Sequence, residues 1–491
     1  MPQFFDKDGH LENWVGYPRP GILVRIILHE LYKLAVSDTT SALLVSFLLL
    51  LNVIDVDLLI GLQTTDDQWY MMIIMACLAL VYPLLRIPLI IGGAVLAWWF
   101  EWLVHINEIG SVLTIFIAAP LVCLLIHSVW KTSGRAFAII LSIFFTYALL
   151  GHLLPSPLTG LPLEAQQLLP FLFFDNTAML GICIVVMVDT VFLFILAGKI
   201  ITHFGLSKAM IDFIISKVNS PSRVAIVSSA IFGSISGSAV ANVMSTGQLT
   251  IPMMIKNGYS KARAAAYEAV ASTGGQLTPP IMGAAAFLMA ELLEVDYWDV
   301  ALWAIVPASV FYAVLILFAP AGNRDQDFKA DYWSDLKFPN VKELLTELAV
   351  DLSPLLLLGA SIGFIIGILD QTGLAFSLSA LLLQISGGQL YILLPMIAVL
   401  CIVLGMGMPT LSAYFIVAVL LAPALIDAGI GPIAAHMFVL YFSILSMVTP
   451  PVAISSFAAA RIAKADPIET SLISAKLALP LVVMPFLFVW F

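Results

Sequence analysis

Long apolar stretches separated by short polar ones set the organisation of this chain. The apolar runs predict helices near 41–61, 70–85, 87–104, 111–130, 136–154 and 171–198, most of them close to the roughly 20 residues that cross a bilayer. The second and third are short, with Pro83 and Pro88 bracketing Arg86. Residues 21–36, GILVRIILHELYKLAV, set Arg25, His29, Glu30 and Lys33 between apolar positions, a pattern that suits a helix lying in the membrane interface. Two later apolar runs each contain Thr-Pro-Pro, at Thr278-Pro279-Pro280 and Thr449-Pro450-Pro451. Adjacent prolines remove two backbone donors and disfavour helix just before them. Each run is therefore predicted as a broken helix, which a membrane tolerates only inside protein or beside a cavity.

Beyond residue 170 the pattern occurs twice. A helix at 171–198 leads to an amphipathic piece near 203–219, two short limbs around the tip SISGSAVAN, a broken helix, and a helix at 299–320. A basic and polar linker, NRDQDFKADYWSDLKFPNVK, follows. The order then returns: a helix near 348–369, a weakly amphipathic piece near 374–387, limbs around LGMGMPTLSA, the second broken helix, and a last helix at 468–491. Gly237 precedes Thr278 by 41 positions, Gly407 precedes Thr449 by 42, and aligning the triplets sets Ser272 opposite Ser443. The domain boundaries expected are 1–154 for the N-terminal helices, 155–322 for the first repeat, 323–344 for the linker and 345–491 for the second repeat.

Basic residues orient this layout. Arg19, Arg25 and Lys33 precede the first span, and the next loop holds Asp55, Asp57, Asp66 and Asp67 without a Lys or Arg. Arg86, then Lys131 and Arg135, then Lys199, Lys208, Lys217 and Arg223 mark alternate loops. The positive-inside rule places the N-terminus and the linker in the cytoplasm. The second unit then starts from the side opposite to the first, which makes the repeats inverted. Inverted repeats with interrupted helices meeting near the bilayer midplane mark secondary transporters and their ion and substrate sites.

Composition agrees. Of 491 residues, 61% are hydrophobic and 11% charged, against roughly 25% charged in soluble domains, so the chain is an all-α polytopic membrane protein embedded in lipid. Its net charge of −10 comes with no basic stripe for nucleic acid. The first 20 residues lack the form of a signal peptide, and insertion is expected to use the first spanning helix. Cys77, Cys123, Cys183 and Cys401 lie in apolar runs without metal or redox spacing and read as buried free thiols. No Walker, HExxH or GxSxG motif occurs. A membrane enzyme using Asp189 and Glu268 as paired acids is the competing class, with a channel third. No cofactor is expected, and no metal beyond Na⁺.

The chemistry is expected at the tips and breaks. Ser236, Gly237, Ser238 and Asn242, with Ser272, Thr273 and Thr278 from the broken helix, offer the several oxygens that Na⁺ needs. The prolines would leave carbonyl oxygens open for the same cation. A second cation site is expected from Gly405, Gly407, Pro409 and Thr410, with Ser412 nearby, opposite Ser443, Ser446 and Thr449. Small-residue helix packing is the alternative reading of the first tip. Substrate is expected between the tips, at Ser238, Asn242, Gln276 and Thr410, where helix N-termini favour an anion; Gln276 serves equally well as a structural hydrogen-bonder. Asp189 and Glu268 are intramembrane acids and hence proton-site candidates. Glu268 is read rather as a near-surface partner of Lys261 or Arg263, and Asp189 is left between function and structure.

SSAIFGSISGSAVANVMSTGQLTIPMM and AAAYEAVASTGGQLTPPIMGAAAFLMAE, with GMGMPTLSAY and TPPVAISSFAAARIA, resemble the large membrane subunit of tripartite ATP-independent periplasmic (TRAP) transporters over residues 171–491. The preceding helices resemble the small membrane subunit fused to its N-terminus, as is typical of the TAXI branch. The resemblance implies an inverted-repeat ion-transporter fold with two re-entrant hairpins, working as an elevator whose scaffold is the N-terminal helices and the arm pieces. It implies a sodium- or proton-driven importer of organic acids in the bacterial inner membrane, served by a separate TAXI-type periplasmic solute-binding protein. The membrane unit is expected to be monomeric. The family's sodium sites transfer to the two tip-plus-break clusters above.

Overall fold

The computed structural model describes residues 38–56, 64–108, 112–320 and 340–489. The expected interfacial helix at 21–36 and most of the linker lie outside them. Among the described residues every regular element is helical. The N-terminal group comprises α1 (Asp38–Val53), α2 (Asp66–Val81), α3 (Arg86–Trp98), α4 (Phe100–Glu108), α5 (Val112–Thr132) and α6 (Arg135–Leu150). The single helix expected at 87–104 is the pair α3 and α4, bent by 71°. Arg86 is fully buried, donating from Nε to Ala79 O at 3.1 Å and pairing with Asp38. Cys77, Cys183 and Cys401 are buried, but Cys123 is exposed. It lies on the outward face of α5, whose Leu121, Val122 and Leu125 face inward.

The helix expected at 171–198 is two elements, α7 (Ala165–Phe174) and α8 (Ile182–His203). The polar run DNTA between them explains the break. Asp175 Oδ1 accepts from the Thr177 N–H at 2.8 Å and from its hydroxyl at 2.6 Å, a side-chain turn that competes with helix. This turn rests on Gly363, where a Cβ would come within 2.1 Å of Ala178 O.

The first half continues with α9 (Leu206–Lys217), α10 (Pro221–Ser236), α11 (Ala239–Lys256), α12 (Lys261–Gly275), α13 (Ala284–Leu292) and α14 (Tyr297–Phe318). The second half is α15 (Val341–Thr372), α16 (Leu374–Ser386), α17 (Leu390–Gly405), α18 (Thr410–Asp427), α19 (Pro432–Leu445), α20 (Ile454–Ala463), α21 (Pro467–Leu477) and α22 (Leu479–Phe488). Asn340 caps α15 by accepting from the Lys342 N–H at 3.2 Å, so this helix starts before the expected 348. The last expected helix is bent by 40° between α21 and α22, where Pro480 lacks the N–H to continue the ladder.

Thr449 follows Thr278 by 171 positions. The same offset carries both ends of α11 onto those of α18 and the start of α12 onto that of α19. It brings the starts of α13 and α14 within one residue of those of α20 and α21. Packing is reciprocal: α13 lies against α18, and α20 against α11, as expected where two like units share a two-fold relation. The long α15 runs buried through the centre and touches α1, α5, α6 and α8. Among the described residues six helices are long and apolar enough to cross a membrane, or up to eight if each bent pair is one span.

Candidate functional site

Each broken helix re-forms its backbone bonds around the prolines. Pro279-Pro280 and Pro450-Pro451 are both cis. In the first half, Gly275 O accepts from the Thr278 N–H at 3.1 Å and Gln276 O from the Gly283 N–H at 3.0 Å. In the second, Met447 O accepts from the Ser455 N–H at 3.0 Å. The threonines bond back one turn, Thr278 Oγ1 to Gly274 O at 2.9 Å and Thr449 Oγ1 to Leu445 O at 2.7 Å. Thr273 does the same to Ala269 O at 2.7 Å. Of the carbonyls expected to be open, Gly275 O, Gln276 O and Met447 O each accept from a neighbouring N–H.

The tips sit against the breaks. Gly237 ends α10 at φ +64°, and a Cβ there would lie 2.6 Å from Met282 O. Gly407 turns the second tip at φ +76°. Ser238 caps α11 by accepting from the Ala241 N–H at 3.3 Å. In the second half Ser446 Oγ lies 3.0 Å from Gly405 O and 2.5 Å from Ser443 O, and Ser443 Oγ donates to Leu440 O at 2.8 Å.

The two halves meet at a small cavity of about 130 Å³. Ser236, Gly237 and Ser238 line it from one tip, Pro409 and Thr410 from the other, with Gln276, Val191 and Phe194 around them. The N-terminal ends of α11, α13 and α18 open onto it, each bringing unpaired backbone N–H groups and a positive dipole end. Gln276 is 2% exposed, and its Nε2 lies 3.9 Å from Met447 Sδ while its Oε1 has no partner. Thr410 Oγ1 lies 3.1 Å from the same sulfur. Three of the four residues expected at substrate, Ser238, Gln276 and Thr410, share this cavity; Asn242 is not among its lining residues.

Asn242 belongs to a second cluster, with Glu268 at its centre. The close crossing of α10 and α12 builds it: a Cβ on Gly275 would lie 2.6 Å from Gly233 Cα. Glu268 is fully buried rather than paired at the surface with Lys261 or Arg263. Its Oε1 accepts from Ser229 at 2.7 Å, Thr246 at 2.5 Å and Ser272 at 3.1 Å, and its Oε2 from Thr250 at 2.5 Å. Asn242 Nδ2 donates to Ser229 O at 2.8 Å. The reason for the correction is depth: residue 268 lies two turns into α12, about 10 Å along the helix from Lys261, while Lys261 and Arg263 stay exposed in its first turn. Ser229, Thr246 and Thr250 were not anticipated. The signal was present, since Asn242, Thr246 and Thr250 recur every fourth residue and share one helix face.

Asp189 lies elsewhere, on a π-helical turn spanning Val186–Val191. Its Oδ1 accepts from Asn52 Nδ2 at 3.0 Å and its Oδ2 from the Tyr70 hydroxyl at 2.9 Å. It ties α8 to α1 and α2 and shares no partner with Glu268. At the other end of α8, Lys199 Nζ meets Asp351 at 2.7 Å and Glu347 at 3.2 Å, and His203 meets Glu347 at 3.1 Å. No group of three or more His, Cys, Asp or Glu is placed to hold a metal among the described residues.

Fold and site together define a polytopic, all-helical membrane protein whose two matching halves enclose a cavity at their paired hairpin tips. The chain belongs to the family described as "Tripartite ATP-independent periplasmic transporter, DctM component", whose sequence profile it matches over residues 72–331 and 332–491. The match begins well before residue 155. Curated relatives are similar over a shorter region. A "Putative TRAP transporter large permease protein" of Haemophilus influenzae is 38% identical over 91 residues, 18% of this chain and 23% of the relative. "C4-dicarboxylate TRAP transporter large permease protein DctM" of Rhodobacter capsulatus is 33% identical over 91 residues, 18% and 21% of the two chains. Its namesake in Vibrio cholerae is 37% identical over 91 residues, 18% and 20%. The chain thus spans about a fifth of the length of these relatives. A transporter family leaves no place for the enzymatic reading of Asp189 and Glu268.

Proposed function

We propose that the chain is the permease of a receptor-dependent secondary transporter, importing an organic acid driven by a Na⁺ or H⁺ gradient. The observation that carries this reading is the convergence of both hairpin tips and Gln276 on one cavity, with Gln276 also in contact with the other break residue, Met447. Three helix N-termini there favour a carboxylate. The reciprocal packing of the halves supports inverted repeats and alternating access by an elevator motion. The hairpins would be re-entrant, and the N-terminal helices would stand for a fused small subunit, of the TAXI type. The first cation site draws on Ser236, Gly237 and Ser238 at the tip, with Asn242, Ser272, Thr273 and Thr278 behind it. The second draws on Gly405, Gly407, Pro409 and Thr410 with Ser443, Ser446 and Thr449. Asp189 and Glu268 are the titratable groups available if the ion is H⁺. The chain would sit in the bacterial inner membrane as a monomer, N-terminus in the cytoplasm, taking substrate from a periplasmic solute-binding protein.

Proteoliposomes test this. Uptake of a labelled C4-dicarboxylate or related acid is expected only with receptor and an ion gradient present. Replacing Na⁺ by choline at fixed pH, and separately collapsing the proton gradient, assigns the coupling ion. Equal uptake without receptor would replace this reading by a receptor-independent ion-coupled anion transporter.

A further inference from the structure

The Glu268 cluster is richer in oxygen than hydrogen bonding requires. Thr246 Oγ1 lies within 3.2 Å of four oxygens, namely Ser229 Oγ, Asn242 O, Asn242 Oδ1 and Glu268 Oε1, yet it carries one proton. Three hydroxyls crowd Oε1 alone. Glu268 makes no ion pair among the described residues, and it is fully buried. A buried carboxylate is costly unless something of opposite charge compensates it.

The second half shows that the fold does not need this cluster. The 171-residue offset sets Ala413 opposite Asn242, Val417 opposite Thr246, Leu421 opposite Thr250 and Val439 opposite Glu268. All four are buried to at least 99%. One skeleton therefore packs both ways, and a well-packed apolar set is commonly as stable as a buried charged one or more so. The polar version in the first half calls for a ligand.

We propose that Glu268, with the hydroxyls of Ser229, Thr246, Thr250 and Ser272 and the Asn242 amide oxygen, forms a binding site for one monovalent metal cation, Na⁺. One carboxylate among neutral oxygens matches a single positive charge, and carboxylate, hydroxyl and carbonyl oxygens are the ligands hard cations take. Ser229 lies eight residues before Gly237, so the site reaches about 12 Å along the hairpin from its tip; it takes Asn242 and Ser272 from the first cation site above, adds Glu268, Ser229, Thr246 and Thr250, and has no ligand in the lining of the tip cavity. Cation binding there would lock α10 and α11 onto α12. This deepens the ion-coupled reading above and rests on it for its role in transport.

The test uses the full chain in detergent, without receptor, substrate or gradient, at fixed pH with choline replacing Na⁺. Equilibrium binding of ²²Na⁺ and Na⁺-dependent thermal protection are read together. Wild type is expected to show saturable protection, and E268Q at least a tenfold weaker apparent affinity. A graft of the second half's residues, N242A/T246V/T250L/E268V, is expected to fold and to lose the same component, which separates binding from folding. Wild-type affinity in E268Q or in the graft overturns the proposal, as does a wild-type protein that responds to pH but not to Na⁺. In those cases receptor-dependent uptake can still stand. Conversely, intact Na⁺ binding with no uptake sinks the transport reading alone.

Discussion

Gly275→Ala probes whether the crossing of α10 and α12 builds the polar cluster. The added Cβ would lie 2.6 Å from Gly233 Cα and 3.1 Å from both Gly233 C and Ser229 O. These are backbone atoms, which cannot rotate aside. Restoring an ordinary contact of 3.4 Å moves the helices apart by about 0.8 Å. The Ser229–Glu268 bond, 2.7 Å long, then stretches to about 3.5 Å, the limit for a hydrogen bond. Overpacking costs about 1–3 kcal/mol, and a weakened bond to a carboxylate up to about 1.5–3 kcal/mol. Better helix propensity offsets up to about 1 kcal/mol, leaving a net loss of about 1.5–5 kcal/mol. Reversible chemical unfolding in micelles measures this against Gly431→Ala. Gly431 has open space around its Cβ position and a negative φ, so that control should stay within about 0.5 kcal/mol of wild type. A Gly275→Ala protein equally close to wild type would refute the crossing.

Asp189→Ala leaves the Asn52 amide and the Tyr70 hydroxyl without their acceptor and should cost about 1–3 kcal/mol, read by unfolding. Asp189→Asn retains a partner for each and should keep both stability and uptake; loss of uptake with intact stability would place proton carriage at Asp189. Lys199→Ala breaks the link between α8 and α15, but Glu347 and Asp351 are 46% and 53% exposed. The expected loss is therefore under about 1 kcal/mol and should vanish in high salt. A loss above about 2 kcal/mol would mean that the pair is far better shielded than its exposure indicates.

The repeat was legible because prolines and glycines act locally. Thr-Pro-Pro breaks a helix whatever surrounds it, and Gly237 and Gly407 sit at positive φ where the tips turn. Limits set by tertiary contact were not legible. Nothing in GICIVVMVD announces that Asp189 faces Asn52 and Tyr70, more than a hundred residues away. The split between α7 and α8 was written in Asp175 and Thr177, yet its acceptance depends on Gly363 in another half of the chain. Glu268 went astray for a different reason. Lys261 and Arg263 are near in sequence, but they stay exposed in the first turn of α12, whereas the acid lies deeper, against α10 and α11. Depth along the helix decides the partner here, not proximity in sequence.

The two halves share a skeleton, so their differences locate the chemistry. Gln276 and Met447 are equivalent positions that touch one another, which places them on the two-fold relation itself. Two glutamines there would bond to each other and close the contact. With methionine on one side, the amide meets only a weak acceptor, since thioether sulfur holds a hydrogen bond poorly. Rotating the Gln276 amide by half a turn therefore costs little and exchanges Oε1 for Nε2 at the cavity. In one setting the cavity gains an acceptor suited to a cation or a hydroxyl. In the other it gains a donor suited to a carboxylate, beside the N-terminal ends of α11, α13 and α18. Under the proposed transport reading, a cavity that admits and releases an acid would be better served by such an exchange than by a fixed bond, and the unlike pair of Gln276 and Met447 would allow it.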